Sequence, residues 1–352
     1  MSFIVYCHLQ LFKTFTFSFN TSFMKSLLLS LFLVVLSLSN SFAQIHVGTR
    51  DFALGNNPGS FKQKDIEKLK ATTTIFVIPA SQYHAKEDFE KAIAASWEIT
   101  PFKVIKPSEL SAYKDRDKYS FFSFGGYFKI IERNYSSQRL AYISYDLWMP
   151  TYNKKGEVKG QDYFARIGMF ADFKTIMTGF DYAFQKGGSG KLGSFLNSSD
   201  YYNWGAGYLK GYLTMVNDLL LGATARGPYT EFENEVALQT MANDTLYLPD
   251  YINVRFNPIT GKEEAQDEDD EALAEAYPFP VKMVSSDVLN DMILHAPKPF
   301  KYMVYVKTNA EKFINVYSSG SESLIYSEHV KLSFNFRNKD LKKLAKRVRK
   351  SS

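Results

Sequence analysis

One order of elements occurs twice along this chain, and a repeat this long constrains the fold more than any single residue does. In the first pass a short helical segment at 65–70 feeds the apolar run Thr74, Ile75, Phe76, Val77 and Ile78, which closes on Pro79. A helix over 87–97 follows, with Phe89, Ile93 and Trp97 at four-residue steps. Then come Pro101-Phe102-Lys103-Val104, a polar Ser108-Glu109-Leu110, and three strand-like runs at 119–124, 127–133 and 140–147. In the last run Ala141, Ile143, Tyr145 and Leu147 share one face, as a half-buried strand requires. The second pass repeats the order: a helix over 231–241, an apolar run at 244–249 closing on Pro249, a helix over 269–277, Pro278-Phe279-Pro280-Val281, Ser286-Asp287-Val288-Leu289, and a meander at 301–307, 312–317 and 323–329. Ser108 and Ser286 are the expected N-caps. The shared Pro-Phe signature places Val104 and Val281 at equivalent inward positions of central or near-central strands.

The period exceeds the roughly 20–50 residues of solenoid repeats and suits a pair of domains. The expected fold is α/β (α+β): two related domains, each a mixed sheet with a β-meander and helices packed on it, joined by a helical connector. The domains are bounded at 44–173 and 231–352, with the connector at 174–230. Within the connector, Gly187-Gly188-Ser189-Gly190 and Asn197-Ser198-Ser199 read as flexible, and 204–221 reads as a helix with Tyr208, Tyr212, Val216 and Leu219 along one side. Gly205, Gly207 and Gly211 each cost such a helix about 1 kcal/mol against Ala, so it depends on packing. Residues 163–177 read as a strand followed by a short helix from Ala171. The chain closes on a basic helix, with Leu341, Leu344, Ala345 and Val348 at helical spacing between seven cations, suited to a helix C-terminus. A membrane-surface role is the alternative for it.

Residues 24–43 have the order of a secretory signal peptide: Met24-Lys25-Ser26, an apolar stretch from Leu27 to Leu38, and Ser41-Phe42-Ala43 with small residues at the −3 and −1 positions. Residues 1–23 upstream of it read as a mis-called start. The apolar stretch falls short of the ~20 residues of a spanning helix, so cleavage before Gln44 is expected, and no transmembrane anchor after it. Removing 43 of the 352 residues leaves 309 and takes the only cysteine, Cys7, with it. The mature chain then has no disulfide, no lipid-bearing N-terminal Cys and no thiolate chemistry. Periplasm or secretion in a Gram-negative bacterium is the expected address. The sequons at Asn134, Asn197 and Asn243 matter only in a eukaryotic secretory pathway.

Charge excludes one class of partner. Lys13 and Lys25 leave with the leader, so 40 of the 42 basic side chains face 37 acidic ones, too even a balance to argue for nucleic acid. Motifs for catalysis are missing as well. Gly187-Gly188-Ser189-Gly190-Lys191-Leu192 has Gln185 where a phosphate loop needs glycine and Leu192 where it needs a hydroxyl for magnesium; Lys191 likewise breaks a nucleophile elbow. His46, His84, His295 and His329 lie too far apart for helical metal-ligand spacing and read as surface or loop residues. A serine–histidine–acid triad assembled from distant segments leaves no trace in a sequence. The acidic stretch 263–275, with Asp267, Asp269 and Asp270, lacks the glycine and distal glutamate of a calcium loop and reads as a solvated loop entering a helix. No catalytic, cofactor or metal residue is therefore assigned.

The chain carries 30 Phe and 23 Tyr, and sugar binders use such rings as stacking platforms. Tyr201, Tyr202 and Trp204 are the candidate ligand-binding residues, with core packing as the alternative. The run Thr73 to Pro79, the helix ending at Trp97 and Ile99-Thr100-Pro101-Phe102 resemble a group of uncharacterised exported proteins of Bacteroidota-type bacteria. More distantly, strand, helix and Pro-Phe-x-Val strand with a following Ser-Glu-Leu look like the α/β N-terminal domain of the TolB family, one copy at a time. That likeness implies envelope-associated protein contacts and fixes no residue; this chain departs from it in having no lipid anchor and no propeller repeats. The expectation is a non-catalytic exported envelope protein acting through protein or ligand contacts. The alternative is a glycan- or peptide-binding protein using exposed aromatics, and a hydrolase comes third.

Overall fold

A computed structural model describes residues 44–49, 57–113, 116–133, 136–229, 231–257, 262–265, 270–308, 311–331, 333 and 335–351. The leader, its upstream segment, the sequon at Asn134 and the carboxylates Asp267 and Asp269 lie outside the described residues.

Two six-stranded sheets with one topology form the fold. The first contains β1 (Ile45–Val47), β2 (Thr73–Val77), β3 (Phe102–Ile105), β4 (Tyr119–Arg133), β5 (Ser136–Tyr152) and β6 (Val158–Gly168), in the order β3-β2-β4-β5-β6-β1. The second contains β7 (Phe232–Glu233), β8 (Leu246–Pro249), β11 (Val281–Val284), β12 (Lys301–Lys307), β13 (Glu311–Ser318) and β14 (Ser323–Lys331), in the order β11-β8-β12-β13-β14-β7. A separate hairpin of β9 (Val254–Asn257) and β10 (Lys262–Ala265) follows β8. In each sheet the first three strands are parallel, the meander is antiparallel, and the strand that comes earliest in the chain closes the far edge. The helices repeat too. α1 (Gln63–Lys70) leads into β2 as α6 (Glu235–Thr240) leads into β8, and α2 (Lys86–Ala94) and α7 (Asp270–Ala276) each cross from one parallel strand to the next.

The proline punctuation locks the correspondence. Pro79, two residues past β2, and Pro249, the last residue of β8, each lead into a 3-10 turn, Ala80–Ala85 and Asp250–Asn253. Val104 pairs with Phe76, three residues before Pro79, and Val281 pairs with Leu246, three before Pro249. The two valines are thus equivalent in register. They lie on the outermost strand of each sheet rather than near its centre, because the meander adds its strands on the other side. Val104 is buried and Val281 half-buried against the core.

Several boundaries differ from the sequence expectation. The runs at 119–124 and 127–133 are one strand, since Gly125-Gly126 stay extended opposite Ser144 and Ile143 instead of turning. The third meander strand is therefore β6. The helix after it, α3 (Phe173–Phe184), begins at the Asp172 cap, whose side chain accepts from the Thr175 N–H. The glycine-rich stretch read as flexible forms α4 (Gly188–Leu196), entered through Gly187 at φ 72°. Ser285, not Ser286, caps α8 (Ser286–His295), while Ser108 lies in a 3-10 turn, Pro107–Ala112, that lacks a side-chain cap. Ser286 instead donates to the Tyr202 carbonyl at 2.8 Å.

α5 (Ala206–Leu221) joins the halves. Of its 16 residues 11 are buried, so it is apolar nearly all round, as a helix inside a core must be. It packs on α2 from the first half and α8 from the second. Gly207 permits this, because a Cβ there would collide with the Asn290 backbone carbonyl on α8. The basic helix α9 (Asn338–Ser351) buries Leu341, Leu344, Ala345 and Val348, as its spacing requires. One continuous apolar cluster runs through both sheets and α5. No helix among the described residues is long and apolar enough to cross a membrane.

Candidate ligand-binding groove

Alternation along the strands of the first sheet gives it two unlike faces. Phe122, Phe124, Tyr145, Leu147, Ala165 and Ile167 face the helices and join the common core. On the other face the ladder registers stack three rows. Phe121 pairs with Trp148, which pairs with Tyr163; Ser123 pairs with Asp146, then Arg166, then His46; Gly125 pairs with Ser144, then Gly168. An aromatic row thus lies beside a polar one, and a row of small residues leaves space above the next step of the sheet.

α4 borders that space at the open edge of β4. β2 pairs with β4 only as far as Phe122, so the edge of β4 is open from Ser123 onward. Asn197, just past α4, takes the place of a strand there: its side chain accepts from the Phe124 N–H at 3.0 Å and donates to the Phe124 carbonyl at 3.1 Å. Between α4 and the sheet lies an open groove of about 460 Å³, walled by Trp148, Tyr163, Asp146 and Gln161 from the sheet and by Ser189 and Ser194 from the helix.

Within it the polar groups are fixed in place. The Trp148 indole N–H donates to Ser123 Oγ at 2.9 Å, and its ring stacks on Phe121 with centroids 4.8 Å apart. Ser144 Oγ donates to Asp146 Oδ1 at 2.6 Å. The Arg166 guanidinium carbon lies 3.8 Å from the centre of the Tyr163 ring, whose hydroxyl donates to Gln161 Oε1 at 2.7 Å. Gly125 makes room for the carboxylate, since a Cβ there would come 2.6 Å from Asp146 Oδ2.

Glycoside hydrolysis uses two carboxyl groups across the scissile bond, and Asp146 is the one carboxylate among the described lining residues. A hydroxyl, a carboxylate and an imidazole do share the polar row, but Arg166 stands between Asp146 and His46, so the acid orients no imidazole toward a serine. No group of three or more metal-ligating side chains occurs among the described residues.

The histidines divide. His84, in the 3-10 turn after β2, and His295, at the end of α8, are exposed as expected. His46 and His329 correct the surface-or-loop reading: His46 is buried in β1, and His329 lies on β14 with Nε2 2.8 Å from Glu311 Oε2. The acidic stretch 263–275 likewise contains β10 ahead of α7 rather than one solvated loop.

The aromatic candidates Tyr201, Tyr202 and Trp204 do not form a displayed platform. Tyr201 stacks on Phe124 at 4.6 Å and donates to the Leu196 carbonyl, and burial raises its phenol well above the usual range. Trp204 is buried against Phe89, Phe124 and Tyr145. Tyr202 is half-buried against Phe170 and Tyr251, with its phenol pushed up to about 12 by burial. No motif marks the groove residues, although the strand alternation that puts Tyr145 and Leu147 inward also puts Ser144, Asp146 and Trp148 on the opposite face. Comparison of the chain with protein-family models, with curated proteins and with solved structures finds no match.

Proposed function

We propose that this is an exported, non-catalytic protein of the cell envelope that holds a hydroxyl-rich ligand, a glycan segment, in the groove between α4 and the first sheet. The observation that carries the reading is the adjacency of the two rows. Of the aromatic row the buried Trp148 and the half-buried Tyr163 line the groove and give it an apolar wall, and Asp146, Gln161 and the serines of α4 offer acceptors and donors for the hydroxyls of a sugar. Export rests on the leader at 24–43.

Two exposed wall residues allow a test that spares the core. Ser194→Trp fills the groove from the helix side, and Gln161→Ala removes a polar contact. Binding to a panel of bacterial polysaccharides is expected to disappear in the first variant and to weaken about tenfold in the second, a change of ~1.4 kcal/mol, with thermal unfolding unchanged. Full binding by Ser194→Trp would remove the groove from consideration. Mass spectrometry of the native protein is expected to find Gln44 at or within a few residues of the N-terminus, and a mature peptide containing Phe23 would end the export argument.

A further inference from the structure

The closing helix α9 divides its cations into two sets. Lys342 pairs with Glu275 at 2.7 Å, Lys343 with Glu328 at 2.8 Å and Arg347 with Glu233 at 2.8 Å. Lys339, Lys346, Arg349 and Lys350 are exposed, and none of them meets a carboxylate within ion-pair distance among the described residues.

Helix geometry gathers the second set. At about 100° of rotation and about 1.5 Å of rise per residue, Lys339, Lys346 and Lys350 fall within about 40° of one another and extend over about 16 Å of axis. They form a ridge on the side opposite the buried Leu341, Leu344, Ala345 and Val348. The paired cations lie on its flanks, where their carboxylates neutralise them, and Arg349 adds an unpaired charge at one flank.

Helix stability does not account for the ridge. The macrodipole favours cations in the last turn, where Arg349 and Lys350 stand, but Lys339 stands in the first turn, where it disfavours them. Lys346 and Lys350, four residues apart, repel each other.

The apolar stripe of α9 is occupied by the core, so the ridge offers a membrane charge and nothing to insert. Lysine ammonium groups are compact, hydrated point charges that need no shaped pocket. On a straight, convex ridge they meet a flat plane of negative charge along its whole length.

We propose that α9 docks this protein on an anionic phospholipid surface, the helix lying parallel to the bilayer with Lys339, Lys346, Arg349 and Lys350 against the headgroup phosphates. The ridge shares no residue with the groove, and the proposal goes beyond the groove reading without depending on it.

Sedimentation with vesicles tests it. The N-terminus of the native protein is first determined by mass spectrometry, so that a retained leader is not mistaken for α9. Binding is expected to vesicles of phosphatidylcholine with one third phosphatidylglycerol and not to phosphatidylcholine alone. It should vanish as salt rises from about 0.05 to about 0.5 M, which shortens the screening length. Each cation near such a surface is worth about fivefold, so Lys339→Gln, Lys346→Gln and Lys350→Gln together should weaken binding on the order of 100-fold at unchanged thermal stability. The same change of charge at the exposed Lys154, Lys155 and Lys159, around the turn between β5 and β6, is expected to leave binding intact. The proposal is overturned if anionic vesicles are not bound, if neutral ones are bound equally, or if the two triple variants lose binding alike. Heparin binding to the ridge without vesicle binding would also overturn it, in favour of a soluble polyanion.

Discussion

Asn315 donates through Nδ2 to Gln44 Oε1 at 2.6 Å, and this bond ties the middle of the second sheet to the residue that leads into the edge strand of the first. Asn315 is fully buried and also accepts from Ser327 Oγ at 2.8 Å. Asn315→Leu leaves both partners desolvated and unpaired, so a loss of about 2–4 kcal/mol is expected. Urea unfolding reads it directly, and an unchanged midpoint would show that the halves do not rely on this contact.

Gly125 and Asp146 face each other across β4 and β5, one register step apart, with room for a hydrogen but not a methyl group. Gly125→Ala should displace the carboxylate and cost about 1–3 kcal/mol in strain. The groove should lose its polysaccharide binding with the displaced acid. Gly156→Ala tests a different glycine property: that residue has φ 78° and open space around it, so the variant should cost stability through the backbone alone and leave binding intact.

The expected helix over 87–97 ends at Ala94, so Trp97 lies past α2, yet it is core as expected, packing edge-on to Phe76 and Phe122 at 5.9 and 5.6 Å. Trp97→Ala is expected to cost about 3–5 kcal/mol, measured by denaturant unfolding. A cost near zero would mean that the core closes over the gap.

What the sequence displayed was periodic or punctuated. Leu341, Leu344, Ala345 and Val348 repeat at helical spacing, and Pro79 and Pro249 lead from matching strands into 3-10 turns, so α9 and the duplicated topology could be read. What it hid depended on contacts between distant segments. Gly125-Gly126 suggest a turn until Ser144 and Ile143 are placed opposite them, and Gly188–Leu196 suggests a loop until Asn197 anchors its end to Phe124. Ser123, Asp146, Arg166 and His46 come from four strands and become a row only through register, which no local window contains.

Lys307 offers a prediction in pH. Its side chain is buried, its ammonium donates to the Val254 carbonyl at 3.2 Å and lies 4.8 Å from the centre of the Phe170 ring, and Glu263 is 3.8 Å away. Burial lowers its pKa from 10.5 to about 8, against the opposing pull of Glu263. Between those two values the unfolded chain holds more protons than the folded one, so this lysine makes stability rise with pH through that window. Below about 8 the buried cation imposes its full cost, on the order of 3 kcal/mol, since each pH unit between the two values is worth ~1.4 kcal/mol. Lys307→Met removes the titration, so the stability of the variant relative to the native protein should fall as pH rises from about 8 to 10.5. Urea unfolding of both proteins across that range measures it. A difference that stays constant would mean that Lys307 keeps an ordinary ammonium, solvated by an opening of the β9–β10 hairpin.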